Sequence, residues 1–315
     1  MQPRNRPVHF RSRRGRSSTR RHPLAGGTIE PVSGGCKGDL EEPLELFYAA
    51  VAGGVVTIER VDFLGTPVDL VSKESLLEAI DQSLEAGKRK QIIFATNAAK
   101  VTRCRRSVEF TRLLAQATYI IPDGAGVSFP LRAAGFHRQQ RVTGVDTAEA
   151  LLSQANYRSR SLYLFGANEE VVQAFACRIR TEFPQINLVG VRNGFVEGNE
   201  ESFVLCDEIS SLNPDYLFVA RGTPLQERWL TSHLERLRFG VAIGLGGSFD
   251  VLTGRVQRAP DWARKGGVEW LYRTVLSPRA RLGRTLKECL PLIPGLVAGV
   301  ARRTIGRPWS KPERY

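Results

Sequence analysis

The sequence predicts an α/β fold in which a doubly wound, mainly parallel Rossmann-like sheet carries helices on both faces. Between Val55 and Leu245, short runs of consecutive apolar residues alternate with longer segments of amphipathic, helical pattern. Continuous apolar runs are typical of parallel strands that are buried on both faces. The chain has 315 residues, of which 42% are hydrophobic and 24% are charged, so it can bury a large core.

The first half of the pattern opens with two short strands joined by a glycine-containing turn. Ser72 has the side chain of a helix N-cap and precedes a helix that ends near Gly87. The strands of this half are predicted at 55–61, 66–71, 92–95 and 119–121. Further helices are predicted over 98–117, from the fourth strand to Ala134, and from an Asp146 cap to Asn156.

The second half of the chain repeats this alternation. Strands are predicted at 162–165, 186–191, 216–220 and 241–245, and helices at 168–183, 200–212 and 224–237, with Asn168 as the cap of the first helix. Ligands in folds of this kind bind at the carboxyl ends of the strands. Polar residues that directly follow a strand are therefore the first candidates for a functional site.

Three regions are predicted: a disordered, Arg-rich N-terminal extension over 1–45, an α/β core over 54–260, and a basic amphipathic C-terminal appendage over 261–315. The extension has eight arginines before its first acidic residue, Glu30. A block of like charge with Ser, Pro and Gly repels itself and does not fold alone. Such an arm either binds an anionic surface or is dispensable, and the sequence favours neither.

The formal net charge of +13 indicates an anionic partner. Nucleic acid, anionic lipid headgroups and phosphorylated substrates all fit this charge. The five cysteines contain no CxxC pair, which argues against a disulfide framework or a cysteine-based zinc site and favours a reducing compartment. No transmembrane helix is expected, because no run approaches the roughly 20 consecutive apolar residues that span a bilayer.

The predicted appendage interleaves basic residues with Trp, Tyr and Leu, a composition that is typical of an element lying at a membrane surface. Its candidate contacts to anionic lipid are Arg279, Arg281 and Arg284. The alternative is an ordinary C-terminal helix that packs its aromatic side chains on the core. The apolar stretch at 290–301 favours the membrane interpretation.

Two polar residues follow predicted strands in the first half of the chain. Asn97 comes just after the third predicted strand, and Asp123 follows the fourth, within the segment IIPDGAGV. A carboxylate at such a strand end can accept a proton from an incoming hydroxyl group as a general base. Asp is also a frequent helix N-cap, and from these residues alone the cap is the more common outcome.

Glycines follow several strands of the second half, in turns whose bare backbone amides can reach diphosphate oxygens. The weak nucleotide-binding candidates are Gly166, Gly222, Gly246 and Gly247. Neither a GxGxxG nor a GxxxxGK(S/T) motif is present, so no bound cofactor is predicted. A DxD pair for a divalent ion is also missing, so no metal site is predicted. Cations of the protein would then have to stabilise a departing diphosphate.

Taken in order, four segments resemble the WecG/TagA/CpsF family of bacterial glycosyltransferases. They are IIPDGAGV (120–127), RVTGVD (141–146), GTPLQERWL (222–230) and GLGGSFDVLTGRVQRAP (244–260), the last of which runs into VEWLYR. The resemblance covers roughly residues 55–276. It implies transfer of a sugar from a UDP-sugar donor to a polyprenyl-diphosphate-linked sugar acceptor, with inversion of the anomeric configuration.

The resemblance also implies roles for individual residues. The general base falls on Asp123, and the asparagine, arginine and glutamine of the substrate site fall on Asn97, Arg141 and Gln226. Arg273 corresponds to a C-terminal arginine that completes the site, and it is expected to stabilise the leaving UDP.

One strand end departs from the family pattern Thr-x-Asn-x-Glu. Ala95 and Ala99 stand at the Thr and Glu positions, and Thr96, a further substrate-binding candidate, is one residue out of register. The donor sugar is therefore left open among N-acetylmannosamine-type, glucosyl and glucuronosyl groups.

The implied setting is the synthesis of surface polysaccharide or exopolysaccharide for the cell envelope, with the enzyme peripheral on the cytoplasmic face of the bacterial inner membrane. The implied partners are the two substrates and an anionic membrane surface, and a homo-oligomer is compatible with the sequence. The alternative is a nucleic-acid-binding or RNA-modifying Rossmann-like protein, which the net charge suggests. No nucleic acid is expected, however, because no RNA-binding motif is present and the basic excess lies mainly in the two tails.

Overall fold

The computed structural model describes residues 58–133, 136, 139, 141–255, 258–260, 263, 272 and 283. These residues belong to one unit of the chain, Gly54–Tyr315. The predicted extension over 1–45 and nearly all of the predicted appendage over 261–315 lie outside the described residues. Both therefore remain predictions.

Strands and helices alternate along the described core. The strands are β1 (Glu59–Asp62), β2 (Pro67–Leu70), β3 (Gln91–Thr96), β4 (Tyr119–Pro122), β5 (Ser161–Gly166), β6 (Asn187–Arg192), β7 (Tyr216–Ala220) and β8 (Val241–Gly244). The helices are α1 (Lys73–Glu85), α2 (Ala98–Arg106), α3 (Val108–Ala115), α4 (Ala125–Ala133), α5 (Gly144–Tyr157), α6 (Glu169–Glu182), α7 (Gly198–Leu212), α8 (Leu225–Ser232) and α9 (Ser248–Leu252). Among the described helices, none has the length and apolar character needed to cross a membrane.

Six of the strands form a parallel sheet in the order β4-β3-β8-β7-β5-β6. In its register, Phe94 of β3 pairs with Gly244 of β8, and Thr96 at the end of β3 pairs with Pro122 at the end of β4. Strands β1 and β2 form a separate antiparallel hairpin. Because the six strands are parallel, their carboxyl ends lie along one edge of the sheet, the carboxyl edge, and their first residues lie along the opposite, amino edge.

Successive side chains of β3 face opposite sides of the sheet. Ile93 and Ala95 pack with side chains of α1, α5, α6 and α9, whereas Ile92 and Phe94 pack with those of α2, α3, α7 and α8. Helices therefore cover both faces, and the predicted Rossmann-like α/β class is confirmed. This double burial explains why the strands are unbroken apolar runs in the sequence.

The β1–β2 hairpin lies beside the edge strand β4 and is attached to it through Asp69. The buried Asp69 carboxylate accepts hydrogen bonds from Arg60 Nε at 2.6 Å and from the backbone nitrogen of Ile120 at 2.7 Å. These partners compensate for the removal of the carboxylate from water. Phe63 and Val68 of the hairpin pack with side chains of α2 and α4. The hairpin therefore supports the strand that leads into IIPDGAGV.

Three predicted helix boundaries were wrong. The helix predicted over 98–117 is broken at Ser107, whose extended backbone (φ −145°) lets its hydroxyl accept from the backbone nitrogen of Phe110 and cap α3. Thr143 caps α5 in place of Asp146, because the Thr143 hydroxyl accepts from the Asp146 backbone nitrogen at 3.0 Å. Ser and Thr hydroxyls compete with helical hydrogen bonds in this way. The helix predicted over 224–237 ends at Ser232, and turns lead from there into β8.

Candidate active site

The carboxyl edge brings the ends of β3 and β4 together. Thr96 pairs with Pro122, and the backbone nitrogen of Asp123 donates to the carbonyl oxygen of Thr96 at 2.8 Å. Neighbouring strands lie about 4.8 Å apart, so Asn97 and Asp123 leave the sheet side by side. The structure therefore places the two candidates from the first half of the chain at one location.

Asp123 is half-buried in the turn between β4 and α4. The next residue, Gly124, has φ +77°, a left-handed conformation that glycine adopts without strain. The carbonyl oxygen of Gly124 accepts the first hydrogen bonds of the helix, from the backbone nitrogens of Val127 and Ser128. The position directly before the helix thus belongs to Gly124, and Asp123 is not at the N-cap position.

Helices α2 and α4 begin close to each other at this edge. A Cβ atom on Gly126 would lie 3.2 Å from the Cβ atom of Ala98, so only small residues allow this approach. The start of a helix carries partial positive charge from its backbone dipoles. Two such helix starts favour an ionised carboxylate or a phosphate group in this region.

Asn97 and Thr96 differ in exposure although they are adjacent. Asn97 is exposed and caps α2, with its side-chain oxygen accepting from the backbone nitrogen of Lys100 at 3.1 Å. Thr96 is fully buried, and its hydroxyl group has no hydrogen-bond partner within the described part of the chain. The structure therefore presents Asn97 to solvent and keeps the second candidate, Thr96, beneath the edge.

The RVTGVD segment crosses the carboxyl ends of β3 and β8. A Cβ atom on Gly144 would lie 3.4 Å from the Cβ atom of Ala95 and 3.9 Å from a methyl carbon of Leu245. Arg141, half-buried three residues earlier, is close enough to Asp146 for its charge to lower the pKa of that carboxyl group. The segment therefore brings Arg141 to the same edge of the sheet as Asn97 and Asp123.

Asp146 holds this segment in place instead of capping the helix. Burial raises the pKa of Asp146, but the hydrogen bond from the Thr143 hydroxyl and the charges of Arg258 and Arg141 outweigh it, so the pKa lies below its usual value. Arg258 pairs with Asp146 and also donates to Glu149 at 3.0 Å. Because Arg258 belongs to the segment 244–260, its ion pair with Asp146 joins that segment to RVTGVD (141–146).

Gln226 lies beneath the glycine turn that follows β8. Its side chain is 1% exposed, and its Oε1 atom accepts from the backbone nitrogen of Gly246 at 2.7 Å. A Cβ atom on Gly244 would lie 2.9 Å from Gln226 Nε2 and 3.2 Å from a ring carbon of Phe94, so a side chain there would displace the Gln226 amide. Gln226 therefore supports the turn from inside the protein, a role that the sequence did not suggest.

A buried ion pair beside Gln226 was missed in the sequence. Lys100 Nζ lies 2.7 Å from Glu227 Oε1, and the two side chains are 6% and 0% exposed. The same Glu227 oxygen accepts from Gln226 Nε2 at 3.0 Å and from the Thr223 hydroxyl at 3.1 Å. Buried charges are rare because their desolvation is costly. The pair links the helix that follows Asn97 to the helix that carries Gln226.

Comparison with known proteins identifies the family. The model of the glycosyl transferase WecG/TagA/CpsF family matches residues 61–305. The chain belongs to this family. It is also similar to proteins that are named N-acetylglucosaminyldiphosphoundecaprenol N-acetyl-beta-D-mannosaminyltransferase. For the relative from Bacillus subtilis (strain 168), the identity is 33% over 224 residues, which cover 70% of this chain and 84% of the relative.

Two further relatives with the same name show similar coverage. The protein from Bacillus spizizenii is 32% identical over 231 residues, covering 73% of this chain and 86% of the relative. The protein from Staphylococcus aureus (strain NCTC 8325) is 28% identical over 245 residues, covering 78% and 94%. The resemblance of the four segments is thus confirmed, and the chain is a WecG/TagA/CpsF glycosyltransferase.

The glycines predicted to bind nucleotide in this glycosyltransferase fall into two kinds. Gly222 and Gly246 have φ +74° and φ +55°, and a Cβ atom on Gly222 or Gly247 would meet nothing within 4 Å. A Cβ atom on Gly166 would lie 2.4 Å from the carbonyl oxygen of Ala220 on the neighbouring strand. The first three glycines form open turns, whereas Gly166 is explained by close packing of β5 on β7.

The loop between β6 and α7 brings an aromatic side chain to this edge that was not among the predicted site residues. Phe195 is 71% exposed. The preceding Gly194 donates from its backbone nitrogen to the Ala167 carbonyl oxygen at 2.8 Å, and Arg221 donates to the Gly194 carbonyl oxygen at 3.0 Å. These hydrogen bonds fix the loop beside the Gly222 turn. The signal available in the sequence was a Phe that directly follows Asn193 and Gly194, shortly after a predicted strand.

Four predicted site residues of the glycosyltransferase lie outside the described residues, and their roles remain predictions. They are Arg273 and the lipid-contact candidates Arg279, Arg281 and Arg284. Within the part of the chain that the structure describes, no group of three or more His, Cys, Asp or Glu side chains is arranged to hold a metal ion.

Proposed function

We propose that this glycosyltransferase moves a sugar from a UDP-sugar to a polyprenyl-diphosphate-linked sugar, with inversion at the anomeric carbon. The observation that carries the proposal is the placement of Asp123 beside Asn97, at an edge that also holds Arg141 and open glycine turns. The relatives support the acceptor class, because their names describe N-acetylmannosaminyl transfer to N-acetylglucosaminyldiphosphoundecaprenol.

The proposed reaction is a single displacement. The acceptor hydroxyl oxygen attacks the anomeric carbon while its proton passes to the Asp123 carboxylate. The bond between the anomeric carbon and the diphosphate oxygen breaks, and UDP leaves with the electron pair of that bond. Arg141 and the predicted Arg273 stabilise the charge that develops on the diphosphate. No cofactor takes part, and no metal ion is required because protein cations replace it.

The nucleotide half of the donor is assigned to the second half of the carboxyl edge. Backbone amides in the open turns at Gly222 and Gly247 are suited to diphosphate oxygens, whereas the amide of Gly246 already donates to Gln226 and shapes its turn. The exposed ring of Phe195 offers a face on which the uracil base stacks. The sugar is then held between the turns and Asn97, with an N-acetylmannosamine-type group supported by the names of the relatives.

The acceptor determines where the enzyme works. A polyprenyl chain stays in the bilayer, so the carboxyl edge has to reach the membrane surface, and we place the enzyme as a peripheral protein on the cytoplasmic face of the inner membrane. The basic appendage over 261–315, with Arg279, Arg281 and Arg284, is the proposed docking element, since each cation near an anionic surface contributes about 1 kcal/mol. The product would enter surface polysaccharide or exopolysaccharide.

A release assay tests this proposal. Purified protein is incubated with a panel of UDP-sugars, with and without a short-chain polyprenyl-diphosphate-linked N-acetylglucosamine, and free UDP is measured. We expect UDP release that depends on both the acceptor and one class of donor. Absence of acceptor-dependent release from every donor would reject the proposal. Salt-dependent sedimentation with RNA but not with anionic liposomes would instead favour the nucleic-acid alternative.

A further inference from the structure

We infer that Glu227 is a positioning residue that determines which end of the Gln226 side-chain amide faces the glycine turn. This inference rests on the proposed function, because that function assigns the turn to the donor diphosphate. The residues that carry it are Glu227, Gln226 and Lys100, all of them nearly or fully buried.

The hydrogen-bonding capacity of a carboxylate fixes the direction of the contact. An ionised carboxylate only accepts, so Gln226 has to present its Nε2 donor to Glu227 Oε1, at 3.0 Å. The other end of the amide, Oε1, then faces the backbone nitrogen of Gly246 and accepts from it at 2.7 Å. With the amide reversed, two oxygens would face each other at Glu227 and two N–H donors at Gly246. Glu227 therefore fixes Nε2 on its own side of the amide, and the Gly246 amide, which only donates, fits the same orientation.

The Lys100–Glu227 pair also connects the two sides of the candidate site. Lys100 lies in the first turn of α2, and its backbone nitrogen donates to the side chain of Asn97 at 3.1 Å. Its Nζ atom lies 2.7 Å from Glu227 Oε1, on the helix that also carries Gln226. Replacing a buried ion pair by apolar side chains is often neutral or stabilising. A contribution to stability is therefore a poor explanation for the pair, whereas the orientation of Gln226 accounts for its geometry.

The two carboxylate oxygens of Glu227 differ in their hydrogen bonds. Glu227 Oε2 is buried and has no hydrogen-bond partner among the described residues, while Oε1 accepts from three donors. A buried acceptor without a partner costs free energy, so such groups are rare in proteins. The concentration of donors on Oε1 is what holds that oxygen against the Gln226 amide.

The test combines Glu227→Gln, Gln226→Ala and the double variant. We expect Glu227→Gln to lower kcat/KM for the donor on the order of tenfold, as misplacement of a binding group does. In the Gln226→Ala background the same change should alter kcat/KM by less than about twofold, because residues that act through each other are not additive. Equal effects in both backgrounds would overturn the inference.

A second readout does not depend on catalysis. In protein labelled with 15N-glutamine, the side-chain amide signal that is missing from Gln226→Ala belongs to Gln226. We expect this signal to shift in Glu227→Gln, and an unchanged signal would contradict the inference. If the wild-type protein releases no UDP with any donor, the proposed function fails, whereas the amide signal still decides the role of Glu227.

Two additional variants separate positioning from folding. Glu208 accepts from the Tyr163 hydroxyl at 2.6 Å on the same face of the sheet, and it is exposed where Glu227 is buried. Glu208→Gln is therefore a control for the loss of a carboxylate on this face, and it should leave kcat/KM and the Gln226 signal unchanged. If Glu227→Gln fails to fold because Lys100 is left buried without a counter-charge, Lys100→Met combined with Glu227→Gln removes both charges. The amide shift is expected in that variant as well, and its absence there would refute the positioning role.

Discussion

The two edges of the sheet use their polar residues in different ways. At the amino edge, Asp215 accepts hydrogen bonds from the backbone nitrogen and the hydroxyl of Ser161, both at 3.0 Å, and from Arg89 at 3.1 Å. Arg89 also donates to the carbonyl oxygen of Asn213 at 2.8 Å. These side chains therefore form hydrogen bonds with one another and with the backbone.

At the carboxyl edge, hydrogen-bonding capacity remains unused. Thr96 Oγ1 and Glu227 Oε2 are buried without a hydrogen-bond partner among the described residues, and the turns at Gly222 and Gly247 face open space. Most buried polar groups in proteins are paired, and exceptions concentrate at functional sites. At the amino edge, Gln91 Nε2 and Arg160 Nε are also buried without a hydrogen-bond partner among the described residues, so unsatisfied groups alone do not distinguish the two edges. The carboxyl edge differs because its unsatisfied groups lie at the edge that also has open glycine turns, and substrates are expected there.

The sharpest test of this difference is to change one carboxylate at each edge. Asp123→Asn should lower turnover on the order of 10²-fold or more, because the acceptor hydroxyl loses its positioned base. Asp215→Asn at the amino edge should leave turnover of the folded enzyme within about twofold, since it touches no proposed substrate contact. Turnover is measured by acceptor-dependent UDP release. Near-normal turnover of Asp123→Asn would remove Asp123 from the mechanism.

A second pair of changes distinguishes packed glycines from open ones at the carboxyl edge. Gly166→Ala should lower the free energy of unfolding by roughly 3 kcal/mol, because the new methyl group would meet the backbone of Ala220. Gly222→Ala should cost only about 1 kcal/mol, because the space around it is open and only its positive φ opposes the change. Urea unfolding measures both values. Similar costs for the two variants would show that this distinction is wrong.

The aromatic ring of the β6–α7 loop provides a third test. Phe195→Ala should raise KM for the UDP-sugar about tenfold and change kcat little, because loss of base stacking weakens donor binding. The matched control is Phe203→Ala, which removes another exposed Phe. Phe203 belongs to α7, is 42% exposed, and has its ring against the guanidinium group of Arg236. Equal KM values for wild type and Phe195→Ala would contradict the proposed stacking.

The amino edge makes a prediction about pH. Burial raises the pKa of Asp215, but hydrogen bonds from Ser161 and Arg89 and the charge of Arg160 outweigh it, so the pKa is lowered in the folded state. A carboxyl group of this kind stabilises the fold above its unfolded pKa of about 3.9, and this contribution is lost as pH falls through the folded value. Asp215→Asn should therefore cost about 1 kcal/mol at pH 7 and progressively less below about pH 4. An equal loss of stability at pH 7 and at a pH well below 4 would show that ionised Asp215 does not stabilise the fold.

The smallest expected effect concerns metal ions. Acceptor-dependent UDP release should be unchanged in EDTA, because the proposed mechanism neutralises the leaving diphosphate with arginines. The control is addition of magnesium or manganese after the chelator. Complete loss of activity in EDTA, restored by either ion, would show that the carboxyl edge takes a metal with its donor.

The order of strands and helices was predictable because double burial makes each parallel strand an unbroken apolar run. The helix boundaries at Ser107 and Thr143 were not predictable, because they depend on which hydroxyl group accepts a hydrogen bond from a backbone nitrogen. The rule that ligands bind at the carboxyl ends of parallel strands put Asn97 and Asp123 at one edge of the sheet. Only the structure shows that their strands, β3 and β4, are neighbours there.

The buried ion pair of the site could not be predicted in the same way. Lys100 and Glu227 lie on α2 and α8, which follow β3 and β7, and in the sheet only β8 separates these two strands, so the helices come within reach of each other. A strand order of this kind is not encoded in local periodicity. The structural role of Gly166 could not be predicted either. In a sequence, a glycine that the neighbouring strand requires looks the same as a glycine in an open turn.

The attachment of Arg258 to α5 has a consequence for the segment that follows it. Its ion pairs with Asp146 and Glu149 fix one end of a tether at the carboxyl edge. Arg273 comes fifteen residues later, and a chain of that length spans at most about 50 Å. A group held on so short a tether has an effective concentration in the millimolar range. For the role that we propose for Arg273, the clamp makes its delivery an intramolecular event, whereas a detached C-terminal peptide would have to be supplied at a comparable bulk concentration to act equally well.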